Sequence, residues 1–229
     1  MKRLVLNGSP RGHRSNSRII ISWIMDGFSE AGAAEPPVTD LARTRNLEEQ
    51  RQAFLEAEEV LLVFPLYTDS VPAVVKGFID SLEDADPARL SGKRLAIVVH
   101  SGFPESVHSE PVVRYLRRLC QRLRMICAGT AIKGGSEGFR VMPGSMTKKP
   151  RLLFTALGRG LAGEGRFPDH VTERLARPRR LSVISRILLN LLRLTGLANM
   201  YWKIMLKNHH AWERRFDRPY AEALPLRGE

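Results

Sequence analysis

Cysteine is scarce in this chain of 229 residues, and the two that occur, Cys120 and Cys127, do not form a C-x-x-C pair. This scarcity argues against a structural zinc site, a redox dithiol motif and a cysteine-ligated iron–sulfur cluster. We interpret both cysteines as small core residues in a reducing compartment, and we expect no metal site. The first apolar run, residues 4–6, is too short for a signal peptide, and no apolar run is long enough to cross a bilayer. We therefore expect a cytoplasmic protein.

Acidic residues are also few. Asp and Glu number 24 against 36 Lys and Arg, which gives a formal net charge of +12. The imbalance is concentrated in residues 171–229, which hold twelve basic and five acidic residues. Such a segment suggests an anionic partner. The candidates are a membrane surface, a nucleic acid and an acidic cofactor. The length fits one α/β domain with an appendage, so we place a domain at residues 1–170 and a basic helical extension at 171–229.

Neither of the common glycine-rich phosphate loops is present. The first polar turn, residues 7–17, reads N-G-S-P-R-G-H-R-S-N-S, which lacks the G-K-[ST] ending and the G-x-G-x-x-G spacing. It nevertheless lies between a short apolar run and a segment with helical periodicity. A helix N-terminus presents unpaired N–H groups and the positive end of the helix dipole, and the serines and arginines of the turn add donors and charge. We predict a phosphate site here, and the alternative is an ordinary capped helix with a polar approach loop.

Apolar runs rich in Val, Ile and Leu alternate with helical patterns along the chain. We predict strands at residues 3–7, 38–41, 60–65, 94–100 and 125–132, and helices at residues 16–31, 47–57, 72–82, 107–123 and 150–161. This alternation predicts crossover connections and a parallel sheet. The third and fourth runs are apolar throughout, which is typical of strands buried on both faces. Five strands with a phosphate loop after the first suit the sheet order 2-1-3-4-5.

Ligands of such sheets bind beyond the carboxyl ends of the strands, so three loops should meet there, residues 9–17, 65–72 and 101–105. In the second loop Tyr67 can provide a flat wall beside backbone N–H donors of residues 68–70, and the alternative is a surface tyrosine. In the third loop Gly102 allows a close approach and Phe103 can stack on a ring. His100 and His108 are candidates for binding or proton donation, although a lone histidine is more often packed or exposed.

Two of these loops carry a family resemblance. Residues 8–17 match, position by position, the G-S-P-R-x-x-x-S-N-S segment of the flavodoxin-like NAD(P)H-dependent FMN reductase and quinone reductase family. Residues 65–80 look like the P-x-Y-x-x-x-x-P-x-x-x-K-x-F-x-D segment of the same family. The resemblance covers residues 1–135. It implies an α/β fold, a flavodoxin-like three-layer sandwich around a five-stranded parallel sheet.

The resemblance also implies FMN as the cofactor and NADH or NADPH as the electron donor, with the chemistry on the flavin and no catalytic side chain. The residues that would bind the cofactor are Ser9, Arg11, Ser15, Asn16, Ser17, Pro65, Leu66, Tyr67, Thr68, Asp69, Ser70, Ser101, Gly102 and Phe103. Residues 133–146 would form a lid whose apolar surface comes from Phe139, Met142 and Met146.

On this resemblance the protein is an FMN-dependent NAD(P)H oxidoreductase that passes electrons to a quinone or a similar small acceptor. Two alternatives stay open. One is a flavodoxin-type electron carrier, which the high positive charge disfavours because such carriers tend to be acidic. The other is a flavodoxin-like binding protein without turnover.

The basic extension contains a Leu-rich segment, residues 179–197, which reads R-R-L-S-V-I-S-R-I-L-L-N-L-L-R-L-T-G-L. At helical spacing its polar residues share one narrow stripe, and a helix so widely apolar cannot remain bare in water. It either packs on its own domain or across a homodimer, or lies on an anionic membrane surface. The sequence shows no group of interleaved aromatic and basic residues that would bind nucleic acid, so we expect no nucleic-acid partner.

Overall fold

The computed structural model describes residues 1–196 and 199–218. The chain divides into two compact units, Met1–Arg180 and Leu181–Glu229. The first unit contains the sheet, and the second contains the Leu-rich segment from Leu181 onward. The domain boundary expected after residue 170 stays a prediction.

The first unit is built on a five-stranded sheet in which all neighbouring strands are parallel. The strands are β1 (Arg3–Asn7), β2 (Val38–Asp40), β3 (Glu59–Pro65), β4 (Arg94–His100) and β5 (Ile126–Lys133). Their order is β2-β1-β3-β4-β5, which confirms the predicted sheet order. Each predicted strand differs from the observed one by at most one residue at either end, because the apolar runs that define them are sharply bounded.

Apolar side chains of the central strands alternate between two cores, one on each face of the sheet. On β3, Leu62 and Phe64 join one core, while Leu61 and Val63 join the other. All seven residues of β3 are buried, as expected for a parallel strand that is covered on both faces. The sheet is therefore the middle layer of the predicted three-layer sandwich.

Helices cover both faces of this sheet. They are α1 (Asn16–Glu30), α2 (Leu47–Glu56), α3 (Ala73–Asp80), α4 (Pro87–Leu90), α5 (Glu110–Arg122), α6 (Gly144–Glu164) and α7 (Asp169–Leu175). Phe54 of α2, Phe78 of α3 and Leu116 of α5 pack into one core. Ile20 of α1 and Phe154 of α6 pack into the other. With both faces covered, the carboxyl ends of the strands are left to the loops.

Several helices differ from the sequence-based expectation, and α5 begins at Glu110, three residues after the predicted start. Helix α6 begins at Gly144, six residues before the predicted start, and continues through Pro150. Pro150 has no N–H, so the helix lacks one intrahelical hydrogen bond there, whereas the sequence predicts this proline at the helix start, where that N–H would have no intrahelical partner. Helices α4 and α7 were not predicted, because four and seven residues are too few to show a clear helical period.

Helices α1 and α6 approach each other backbone to backbone at two glycines. A Cβ atom on Gly27 would lie 2.0 Å from the carbonyl oxygen of Thr155, and one on Gly158 would lie 2.0 Å from that of Ile24. No side chain fits at either position without moving a helix. This contact fixes the position of α1, whose first residues form one side of the candidate site.

The cysteines do not both belong to the core. Cys120 on α5 is buried, as predicted, whereas Cys127 on β5 is exposed. The prediction was wrong for Cys127 because β5 is an edge strand, and its first two residues are exposed. Edge position is a property of the sheet order and leaves little signal in the local sequence.

The second unit contains two helices in its described part, α8 (Val183–Leu194) and α9 (Met200–Asn208). Helix α8 begins later than the predicted residue 179, because Ser182 precedes its first turn and its Oγ accepts a hydrogen bond from the N–H of Ser185 (3.1 Å). The predicted end at Leu197 lies outside the described residues. Among the described residues no helix is long and apolar enough to span a membrane.

Candidate functional site

One cleft of about 200 Å³ lies at the carboxyl ends of β1, β3 and β4, where the three predicted loops meet. Nine of the fourteen candidate residues line it, and these are Ser9, Arg11, Ser15, Asn16, Pro65, Leu66, Tyr67, Ser101 and Gly102. Two further residues, His100 and Glu137, complete the lining. The other five candidates, Ser17, Thr68, Asp69, Ser70 and Phe103, lie on the same three loops but outside this lining.

Asn7, the last residue of β1, holds the first loop in shape. Its Nδ2 donates hydrogen bonds to the carbonyl oxygen of Gly12 (2.9 Å) and to Oδ1 of Asp40 (2.7 Å). Its Oδ1 accepts from the N–H of Ser9 (3.2 Å). Asn7 is fully buried, so these bonds satisfy a polar group that would otherwise be costly. Sequence reasoning did not single out Asn7 or Asp40, and a polar residue that ends an apolar strand was the available signal.

The hydroxyl groups of the first loop are largely committed to the loop itself. Ser15 caps α1, because its Oγ accepts from the N–H of Arg18 (3.2 Å) and donates to the carbonyl oxygen of Gly12 (2.6 Å). The Oγ of Ser9 accepts from the N–H of Arg11 (3.3 Å). These serines shape the loop, and in this arrangement the Ser15 hydroxyl is not available as a donor to an anion.

Backbone donors and one cation remain available at this end of the cleft. In the part of the chain that the structure describes, the N–H groups of Asn16 and Ser17 have no hydrogen-bond partner. Both lie in the first turn of α1, at the positive end of its dipole. Arg11 is exposed, and its guanidinium lies 3.8 Å from the carboxylate of Glu137. An exposed pair of this kind contributes little, so Arg11 can turn towards an anion at low cost.

The buried side chain of His100 joins two of the site segments by hydrogen bonds. The Oγ–H of Ser136 donates to the carbonyl oxygen of Ser101 (3.0 Å), so its Oγ accepts from Nδ1–H of His100 (2.8 Å). The remaining ring nitrogen, Nε2, then accepts from the hydroxyl of Ser17 (2.8 Å). Burial lowers the pKa of His100 to about 3, so the ring is neutral near pH 7. This bond explains why Ser17 does not line the cleft.

The second loop carries backbone strain at the cleft. Tyr67 and Ser70 exchange both backbone hydrogen bonds (3.1 and 3.0 Å), and the two residues between them, Thr68 and Asp69, have φ angles of 47° and 60°. Left-handed backbone is costly for a β-branched residue such as Thr68. Within the described residues, the N–H groups of Thr68 and Asp69 have no partner, whereas that of Ser70 is used in the turn. Strain of this kind clusters at ligand sites, and here it presents two donors next to the half-exposed ring of Tyr67.

The third loop contributes backbone and not an aromatic wall. The ring of Phe103 packs on His108, with ring centroids 4.9 Å apart, and does not line the cleft. His108 lies 3.4 Å from the carboxylate of Glu105 at the surface. Of the two candidate histidines, only His100 reaches the site, and both its nitrogens are engaged within the protein.

The segment expected to be a lid is anchored to the site. Nδ2 of Asn16 donates to the carbonyl oxygens of Ser136 and Glu137, both at 3.0 Å. Phe139 is buried against Trp23, with centroids 5.1 Å apart, and so belongs to the core. Its expected role as adaptable lid surface was wrong, because a residue 116 positions away in sequence covers it. Met142 and Met146 are exposed.

The cleft has two chemically different ends. Arg11 and Asn16 line the end at the start of α1, which suits an anion, and Tyr67 lines the end that suits a flat ring. The unpartnered amides of Ser17, Thr68 and Asp69 belong to neighbouring residues of the same loops, outside the lining. A doubly wound sheet with its site at the carboxyl ends of the strands beside the β1–α1 loop defines a flavodoxin-type α/β protein. The sequence profile described as "Flavodoxin-like fold" matches residues 1–133, and the chain belongs to this family.

Solved structures share this fold. An FMN-dependent NADH-azoreductase from Bacillus anthracis, in complex with FMN, is 15% identical with a TM-score of 0.56, over 71% of this chain and 100% of that one. An NADPH-quinone reductase from P. pentosaceus is 20% identical with a TM-score of 0.51, over 68% of this chain and 96% of that one. An NAD(P)H:quinone oxidoreductase from Methanothermobacter marburgensis is 16% identical with a TM-score of 0.51, over 69% and 95%. At these identities the likeness shows the fold alone. No curated protein matches the sequence significantly.

Proposed function

We propose that the protein is an FMN-dependent NAD(P)H oxidoreductase that passes electrons to a quinone or a similar small acceptor. The observation that carries this proposal is the convergence of three loops on one cleft that Arg11 and Asn16 line together with Tyr67. The family membership and the redox enzymes among the structural neighbours support it.

When bound, FMN would supply the redox chemistry, because its ring accepts hydride from a nicotinamide and passes electrons on. The protein's part is to bind and orient. In our proposal the phosphate lies at the first turn of α1, where the N–H groups of Asn16 and Ser17 and the side chain of Arg11 stabilise its charge. The N–H groups of Thr68 and Asp69 donate to the polar edge of the ring, and Tyr67 contacts its face. Ser101 and Gly102 form the opposite wall.

In our proposal none of the side chains that line the cleft takes part in proton transfer. The one buried histidine, His100, is neutral and holds Ser17 and Ser136 in place, so we assign it a positioning role. This agrees with a mechanism in which the cofactor carries the chemistry and the protein sets its orientation and environment.

The test is a titration of the purified full chain with FMN, followed by turnover with NADH or NADPH and a soluble quinone. We expect one FMN bound per chain, loss of the oxidised flavin spectrum on anaerobic addition of NADH or NADPH, and steady-state quinone reduction. FMN binding without reduction by either nucleotide would favour the electron carrier, which needs a separate reductase. Absence of FMN binding would contradict the proposal altogether.

A further inference from the structure

Helix α8 presents a broad apolar face that is exposed. Its apolar side chains are large, and several are more than half exposed, with Ile184 at 79% and Leu194 at 83%. The exposed apolar residues of this helix are Val183, Ile184, Ile187, Leu188, Leu189, Leu191 and Leu194. At 100° per residue all but Leu189 fall on one half of the helix. Exposed apolar area of this extent marks a site of interaction.

The polar and basic residues of α8 lie on the other side of the helix, together with Leu189 and Leu192. Ser185, Arg186 and Asn190 fall on it at helical spacing, and Arg193 follows in the same stripe of the sequence. The helix therefore has a broad apolar surface and a narrower stripe of polar and basic residues. This is the pattern of helices that lie in the plane of a membrane interface.

The described part of α9 and the residues after it add aromatic and cationic groups. The guanidinium of Arg215 lies over the rings of Trp212 (4.1 Å) and Phe216 (4.6 Å), and Nζ of Lys203 lies 5.5 Å from the Trp212 ring centre. Phe216 is 79% exposed. Tryptophan favours the headgroup region of a bilayer, and cations beside it are attracted by anionic headgroups.

The net charge of the second unit favours one partner for this face, and the length of α8 decides how the helix would bind it. Residues 181–229 hold eight basic and four acidic residues, so a second copy of this unit would bring like charges together, whereas an anionic lipid surface would attract it. A helix of twelve residues is about 18 Å long, well short of the roughly 30 Å of a bilayer core, so α8 cannot span it. We propose that α8 docks in the surface of a bilayer that contains anionic phospholipid, with its apolar half among the acyl chains and Arg186 among the headgroups.

Flotation of the full chain with lipid vesicles tests this proposal, and its readout does not depend on flavin or turnover. We expect the protein to bind vesicles that contain phosphatidylglycerol at least about tenfold more tightly than vesicles of phosphatidylcholine alone, with binding that weakens as salt is raised. No binding to either vesicle, or equal binding to both, would overturn the proposal.

Two double variants with the same change in charge separate the contribution of the apolar face to vesicle binding from that of charge attraction. The variant Ile184→Glu with Leu191→Glu places two carboxylates at the centre of the apolar half, and Ser185→Glu with Asn190→Glu places two on the polar half. We expect the first variant to bind anionic vesicles at least about tenfold more weakly than the second. Equal binding by the two variants would contradict insertion of this face. A self-associating full chain that the first variant converts to a monomer, with no vesicle binding, would instead assign the face to a second copy.

Discussion

Replacing Gly8 with alanine is expected to weaken FMN binding about tenfold, equivalent to about 1.4 kcal/mol, and to lower the free energy of unfolding by about 1–3 kcal/mol. A Cβ atom at this position would lie 2.4 Å from Cγ2 of Val75 and 2.9 Å from Cβ of Phe64. Gly8 links β1 to the first loop, and its N–H donates to the carbonyl oxygen of Val63 (2.8 Å). The added methyl group must therefore displace either α3 or the loop that we propose holds the phosphate. Fluorescence titration with FMN and urea unfolding measure the two effects.

Gly77 on α3 provides the matched control for this prediction. The same substitution there meets no atom within 4 Å, because Gly77 lies on the exposed side of the helix. We expect Gly77→Ala to leave FMN binding unchanged and to raise the free energy of unfolding by about 0.5–1 kcal/mol, since alanine favours helix more than glycine does. If the two alanine variants bind FMN equally well, the close packing behind the first loop has no role in the site.

The second large effect is a loss of stability in acid that comes from His100. Burial lowers its pKa to about 3 in the folded protein, against about 6.5 in the unfolded chain. Between these values the unfolded state binds more protons, so the free energy of unfolding falls as pH falls. The loss reaches about 1.4 kcal/mol per pH unit within this window and totals about 2 kcal/mol at pH 5. Urea unfolding between pH 8 and pH 5 measures it.

His100→Gln isolates this contribution from the rest of the pH dependence. The glutamine amide can donate to Ser136 and accept from Ser17, as the neutral imidazole does, but it has no titration in this range. We expect the variant to lack about 2 kcal/mol of the acid-induced loss seen in the unmodified protein. Parallel pH profiles for the two proteins would mean that His100 is protonated or solvated in the folded state.

The strands and the position of the cleft could be predicted because they rest on local signals. The apolar runs set the strand bounds to within one residue, and the segments around Ser9 and Tyr67 marked two of the three loops. The sheet order then brought these loops together. The order itself came from the alternation of strands and helices, and the family resemblance of the two segments supported it.

The buried hydrogen bonds that hold the site loops in place could not be predicted, because they join residues that are distant in sequence. His100 bonds to Ser17, 83 residues earlier, and to Ser136, 36 residues later. Asn7 likewise bonds to Asp40 across β1 and β2. A serine in a phosphate-loop pattern predicts a hydroxyl that faces the ligand, but whether it faces the ligand or a buried histidine is decided by tertiary packing.

The strained turn at Thr68 and Asp69 was also not predicted from the sequence. The dipeptide of Thr68 and Asp69 lacks the glycine that usually marks two left-handed residues in succession, so the sequence showed a polar loop and no more. Our proposal uses this turn, because the N–H groups of Thr68 and Asp69 have no partner within the described residues. A conformation that local preference opposes is maintained by the surrounding fold.

A comparison of FMN with riboflavin tests the central claim most directly, because the two ligands differ only in the phosphate. If the first turn of α1 and Arg11 hold that phosphate, the protein will bind FMN at least about a hundredfold more tightly than riboflavin, the sum of charge-assisted bonds worth about 1.5–3 kcal/mol each. Arg11→Glu will then weaken FMN binding and leave riboflavin binding unchanged. Equal affinity for the two ligands, with no response to Arg11→Glu, would contradict the account.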